Sequence, residues 1–254
     1  MGHLTEVQRE RYSRQLVLPQ VGLAGQERLA RSSVAVVGAG GLGSPVLLYL
    51  AAAGVGRLVI ADGDQLELSN LQRQVIYTAS ELGRMKADCA AAAVRRLNPE
   101  VEVGVIGTRV GGETAVELLC QVDVVCDCTD SFASRVALHE AAFTARRPLV
   151  SAAMFGFEGQ LTTFRGFEEG MPCYRCLYPE LPPPDLVPPC AEAGVMGAAV
   201  GVLGSLQAGE VLKELLGIGH RLGGRLLVVD TLENEFRLVS IAKDPDCPCC
   251  APRR

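Results

Sequence analysis

The chain has 254 residues, enough for one large core or two small ones, with 48% hydrophobic and 21% charged residues, ordinary globular usage. Its formal net charge is −5, from 24 basic against 29 acidic residues, which argues against the broad basic surface that nucleic acids or anionic membranes require. The polar N-terminus lacks the apolar core of a secretory signal, and the most apolar run, 194–206, is interrupted by Gly194, Gly197, Gly201 and Gly204, whereas a membrane span needs about 20 apolar residues; the chain reads as cytoplasmic, with no membrane or nucleic-acid partner.

Thr5 and Gln8 have capping-box spacing before Glu6–Leu18, a charged helix or helix pair that ends at Pro19. Strand Ser33–Val37 follows, then a glycine-rich turn and helix Ser44–Ala53, and strand Arg57–Ala61 ends at Asp62. Helix Met85–Leu97, stopped by Asn98 and Pro99, leads to strand Val101–Ile106, helix Glu113–Gln121 and strand Val122–Cys126. Helix Phe132–Arg146 then leads to strand Pro148–Ala152. Strands alternating with such helices predict an α/β, Rossmann-like fold, a mainly parallel sheet with helices on both faces. After residue 152 the pattern changes: strand Gln160–Arg165, a proline-rich loop Pro179–Pro189, an apolar and therefore buried helix Gly194–Leu216, and antiparallel strands Arg225–Asp230 and Glu235–Ile241. We read one domain over 1–254, with N-terminal helices in 1–30, a nucleotide-binding core in 31–152 and a C-terminal extension of the sheet in 153–254.

Gly38, Gly40 and Gly43 fit a G-x-G-x-x-G turn between strand and helix, which lets backbone approach a phosphate seated on the helix N-terminus. Asp62, ending the next strand, is placed for ribose hydroxyls. This fingerprint alone does not separate NAD, flavin and ATP. Beyond Asp62 and Asp64, Leu66, Leu68 and Leu71 can pack, while Asn70, Arg73 and Gln74 form a polar cluster. Lys86 follows near a helix start, after a possible cap from Thr78 and Glu81. A triphosphate needs several cationic donors, and Arg73 and Lys86 supply two; otherwise they are solvated surface charges.

Asp127 and Asp130 lie at the carboxyl end of a strand, where open α/β sheets bind ligands, so a carboxylate there suits Mg²⁺ or, equally, caps the next helix. Ten cysteines in a reducing compartment are read first for metal or catalysis. Cys173 and Cys176 match Cys247 and Cys250 as two C-x-x-C knuckles that can give a closed, structural Zn²⁺ site, with Cys249 as an alternative ligand. Cys190, after the proline-rich loop, is either a nucleophile or incidental. Cys89, Cys120, Cys126 and Cys128 read as core filler, and His3, His139 and His220 fall in no catalytic spacing.

Taken together, Arg11–Gln15, Gly38–Gly43, Ser69–Gln74, Asp127–Asp130, Cys173–Cys176 and Glu192–Val195 resemble the ThiF/MoeB family, bacterial relatives of ubiquitin-activating enzymes, over nearly the whole length. The resemblance implies a homodimer that adenylates the C-terminal glycine of a ubiquitin-like sulfur carrier ending in Gly-Gly, using ATP and Mg²⁺. It implies that Gly41 and its neighbours hold the nucleotide and Asp62 the ribose. Ser69, Asn70, Leu71, Gln72, Arg73 and Lys86 would serve ribose and phosphates, with Asp130 assisting Mg²⁺ and Arg14 entering the partner subunit's site. The family carries Asn after its last aspartate where this chain has Ser131. No rhodanese domain follows in this sequence, so sulfur is expected from a separate donor such as a cysteine desulfurase or rhodanese. The rival functions are an NAD-dependent oxidoreductase and a non-catalytic, zinc-bearing carrier scaffold.

Overall fold

The computed structural model describes residues 4–110, 112–180 and 194–251. Helix α1 (Glu6–Arg11) opens on the expected capping box: the Gln8 amide donates to Thr5 Oγ1 at 3.2 Å, and the Thr5 amide to Gln8 Oε1 at 2.9 Å. A short α2 (Ser13–Leu16) follows, so of the expected helix or helix pair the structure has the pair. A further helix, α3 (Gly22–Arg31), lies beyond Pro19, within the stretch 1–30 expected to hold N-terminal helices. Gly22 and Gly25 depress local propensity there, and burial of Leu29 against the sheet core compensates.

The parallel strands are β1 (Ser33–Val37), β2 (Arg57–Ala61), β3 (Glu102–Ile106), β4 (Val124–Asp127) and β5 (Leu149–Phe155). Between them run α4 (Gly43–Ala53), α5 (Lys86–Leu97), α6 (Gly112–Cys120) and α7 (Phe132–Thr144). β5 overruns the expected end at Ala152 and turns at Gly156, φ +58°, into antiparallel β6 (Glu158–Phe164). After α8 (Tyr174–Leu177) and α9 (Gly197–Leu216), β7 (Arg225–Asp230) and β8 (Glu235–Ser240) complete one eight-stranded sheet, ordered β3-β2-β1-β4-β5-β6-β7-β8. The α/β expectation, with antiparallel strands added at the C-terminal side, therefore matches the architecture.

Two apolar layers flank the sheet, one built on α4, α5 and α9 (Leu47, Leu50, Val94, Leu203), the other on α6 and α7 (Leu119, Leu138). α9 is not buried all round, as its composition suggested: Leu203 and Val211 are buried, but Val202 is 42% exposed. Pro45, Tyr49 and Val75 join Val202 and Leu206 in an apolar depression on that side. Buried charges tie α9 to the antiparallel strands, with Glu210 accepting from Thr163 Oγ1 at 3.1 Å and Glu214 paired with Arg165 and Arg221. None of the described helices is long and apolar enough to cross a membrane.

Candidate active site at the carboxyl edge of the sheet

Strand order reverses between β1 and β4, and the two loops leaving their carboxyl ends meet there, the place where open α/β sheets bind ligands. Their contact is backbone on backbone. Gly38 has φ +93°, and a Cβ on it would lie 2.5 Å from the Cys128 carbonyl oxygen. A Cβ on Gly43 would lie 2.1 Å from the Gly38 carbonyl oxygen. Gly40 is different, with only Gln74 Nε2 within reach, at 3.6 Å, so its surroundings leave room for a ligand. Gly41 packs under Val200 of α9, whose Cγ1 would be 2.9 Å from an added Cβ.

The loop is tied to its neighbours by short hydrogen bonds. The Ala39 amide donates to Asp62 Oδ2 at 2.7 Å, and Asp62 Oδ1 accepts from the Asp64 amide at 2.9 Å. Burial pushes the Tyr77 hydroxyl up, so it stays protonated and donates to the Ala39 and Lys86 carbonyls at 2.7 and 3.2 Å. Lys86, 7% exposed, pairs with Asp64 at 3.1 Å. Arg73 donates to the Ser69 carbonyl at 3.1 Å, which holds its guanidinium over the loop. Asn70, 7% exposed, closes a short turn by accepting from the Glu67 amide at 3.1 Å.

Many of these groups line an open cavity of about 700 Å³. Of the residues singled out in the sequence, Gly38, Gly40, Gly41, Asp62, Asp64 and Asn70 border it, as do Arg73, Lys86, Asp130 and Ser131. Gly43, Ser69, Leu71 and Gln72 do not: Gly43 starts α4 and Leu71 packs on the core. Leu68, expected to pack, is 72% exposed. Arg14 sits exposed on α2, outside the cavity lining. Arg109 and Arg135, which stand in no motif of the sequence, also border the cavity. Arg109 follows the carboxyl end of β3, and Arg135 is one turn into α7, so both positions were open to the rule that ligands sit at this edge.

The two aspartates at the carboxyl end of β4 part company. Asp127 is fully buried and accepts from the Thr129 amide, Thr129 Oγ1 and Ser151 Oγ at 3.0, 2.7 and 2.7 Å, so its carboxylate is committed to the protein. Asp130 is exposed at the cavity, and the cap of α7 is Ser131, whose Oγ accepts from the Ser134 amide at 3.2 Å. Ser131 thus takes a capping role that Asn also fills.

Away from this cavity the two cysteine knuckles meet. Cys173 Sγ lies 3.5 Å from Cys247 Sγ and 3.9 Å from Cys176 Sγ, and Cys176 Sγ lies 3.4 Å from Cys250 Sγ. A tetrahedral ion with bonds of about 2.3 Å needs sulfurs about 3.8 Å apart, so this set can hold Zn²⁺. Amides of Cys173 and Asp244 donate to Cys176 Sγ at 3.4 and 3.5 Å, the support a thiolate needs. A hydrogen bond with Cys249, reinforced by burial, leaves the Cys173 thiol pushed up to about 12, while the same contact lowers Cys249. Cys89, Cys126 and Cys128 are buried as expected, but Cys120 is exposed and is not core filler, because it sits on the outer side of the last turn of α6. Cys190 lies outside the described residues.

A sequence model described as the ThiF family matches residues 12–249. The chain is 49% identical over 249 residues to a sulfur carrier protein adenylyltransferase of Thermus thermophilus, covering 97% of this chain and 92% of that one. It is 50% identical over 244 residues to the adenylyltransferase and sulfurtransferase MOCS3 of Bos taurus, but spans only 53% of that protein. It is 47% identical over 247 residues to the SAMP-activating enzyme E1 of Haloferax volcanii, covering 97% of this chain and 90% of that one. Among solved structures, E. coli MccB superposes with a TM-score of 0.83 at 21% identity, over 98% of this chain and 75% of that one, a likeness of fold. With the family's model matched almost end to end and its relatives nearly half identical, the chain belongs to the ThiF family.

Proposed function

We propose that this protein adenylates the C-terminal glycine carboxylate of a ubiquitin-like sulfur carrier ending in Gly-Gly, with ATP as co-substrate. The observation that carries the reading is the cavity itself: a glycine turn and helix N-terminus face Arg73 and Lys86, with Asp130 at the rim. The surroundings fit a nucleotide polyphosphate, because Gly40 leaves backbone accessible and the cations answer its charge. A nicotinamide cofactor has no need of them, which sets the oxidoreductase reading aside. An intact nucleotide cavity equally disfavours a non-catalytic scaffold.

In this reading the amides of the Gly38–Gly43 turn receive the phosphates, and Asp62, already fixed by the Ala39 amide, turns its remaining lone pairs to the ribose. Arg73 and Lys86 neutralise the approach of one anion to another and hold the α-phosphate in line. Asp130 would supply a carboxylate to hold Mg²⁺, which would offset the charge of the phosphates. No general base is needed, because the attacking carboxylate is ionised near neutral pH. A carboxylate oxygen bonds to the α-phosphorus, the α–β bridge breaks, and pyrophosphate leaves.

The apolar depression around Tyr49, Val75 and Val202 supports a homodimer, and the exposed Arg14 is available to a partner subunit's site. Exposed Phe236 and Leu238 on β8 support carrier docking on the antiparallel strands. The four sulfurs of Cys173, Cys176, Cys247 and Cys250 support one structural Zn²⁺, which would close the tail onto the middle of the chain. Cys190 is proposed to attack the carrier adenylate and expel AMP, giving an acyl thioester, or, after taking the outer sulfur of a cytoplasmic cysteine desulfurase or rhodanese persulfide, to do the same as a persulfide and give an acyl persulfide. Unchanged adenylation and sulfur transfer in Cys190→Ser would leave that residue incidental. The main test is to incubate the protein with ATP and each candidate carrier of the same genome and look for the carrier adenylate by mass spectrometry. Formation of that adenylate with one of them is expected; ATP turnover with none of them would refute the assignment.

A further inference from the structure

Beside the four-cysteine site lies a second set of donors, two of which this reading leaves unused. His139 on α7 is 2% exposed and boxed by the rings of Phe143, Phe164 and Tyr174, with centroids 6.1, 6.2 and 5.8 Å away. Its Nε2 faces sulfur, 3.5 Å from Cys249 Sγ. A thiol is a weak partner for an imidazole taken out of water. The third donor is Cys173, and the ligand atoms of His139, Cys173 and Cys249 all lie within 4.8 Å of one another.

We propose that His139, Cys173 and Cys249 form a second metal site, which binds a zinc-like divalent ion through the Cys173 thiolate shared with the four-cysteine site. Geometry supports it. Bonds of about 2.3 Å to sulfur and about 2.0 Å to nitrogen put the two donors of a tetrahedral ion about 3.5 Å apart, which is the His139–Cys249 separation. Charge supports it too. Four thiolates around one divalent ion leave about −2, and a second ion with Cys249 and a neutral imidazole brings the cluster to about −1. Three protein ligands leave one position for water or an external thiol, so this ion is the more weakly held and exchangeable of the two. Cys249 is half-buried rather than sealed from solvent.

The inference rests on the four-cysteine site, and the test separates the two. The full chain, reduced and freed of metal, is titrated with Co²⁺ under anaerobic conditions while the thiolate-to-cobalt absorption is followed. A first ion is expected to saturate the four-cysteine site, and a second to add absorption at higher Co²⁺. Cys249→Ser and His139→Phe, the latter keeping the aromatic packing, should each lose the second ion and keep the first with an unchanged spectrum. Saturation after one ion in the wild type overturns the second site alone. A changed spectrum of the first ion in Cys249→Ser also overturns it, since Cys249 would then be a ligand of a single ion. Failure to bind any ion strikes down both sites.

Discussion

The parallel and antiparallel halves of the sheet are held by different forces. In β1, β2 and β4 nearly every residue is buried, and the loops at their carboxyl ends touch backbone to backbone through Gly38, Gly43 and Cys128. In β8 all six residues are exposed, and this side is secured instead by buried Glu210 and Glu214 and by two cysteine knuckles far apart in sequence. The parallel half is therefore a preformed cradle with no slack, and the antiparallel half a platform that leaves apolar side chains uncovered. A lesion in the first should abolish the site; one in the second should loosen or undock a part.

The harshest break of that contrast is Gly43→Ala. The added carbon meets a backbone oxygen at 2.1 Å, so the loop must move, and we expect a loss of about 4 kcal/mol or more in urea unfolding together with loss of nucleotide binding. Gly40→Ala, with no such contact, should keep stability within about 1 kcal/mol while weakening the nucleotide, a clean split between packing and ligand approach. Next comes the metal. Chelation or Cys176→Ser should cost on the order of 3 kcal/mol and raise hydrogen exchange in β7, β8 and the tail while β1, β2 and β4 stay protected. Uniform loosening of the whole sheet would mean that the halves are not separable. On the exposed platform, Phe236→Ser should leave the melting temperature alone and weaken carrier binding about tenfold, read by titration. The smallest effect is Ser131→Ala, which removes the cap of α7 for about 1 kcal/mol, with Ser131→Asn restoring it.

The legible parts of this molecule were those fixed by near neighbours in the chain. The strand at Ser33–Val37 has its expected bounds, and the glycine turn reads directly from spacing, because strand, turn and helix are contiguous. The two cysteine knuckles were legible despite their distance, since the spacing within each is itself the signal. What escaped depends on register. That Asp127 is committed follows from its pairing opposite Ser151 across β4 and β5, which no local pattern discloses. Arg109 and Arg135 reach the cavity only because the sheet order brings three loops to one edge. Cys120 looked like core because its helix is apolar, yet it faces outward. The bounds of α3 were blurred by its glycines, and tertiary burial of Gln26 and Leu29 offsets their low helical propensity.

The proposed role of Arg73 and Lys86 is to serve α-phosphate attack by a carrier carboxylate, with little contribution to the fold. Its most direct test is carrier-dependent ATP–pyrophosphate exchange in the wild type, Arg73→Ala and Lys86→Ala, with unfolding measured alongside. Exchange is expected to require the carrier's terminal Gly-Gly and to fall about 10²- to 10³-fold in each variant with stability nearly unchanged. Full exchange in both variants, or exchange indifferent to the carrier, would contradict it.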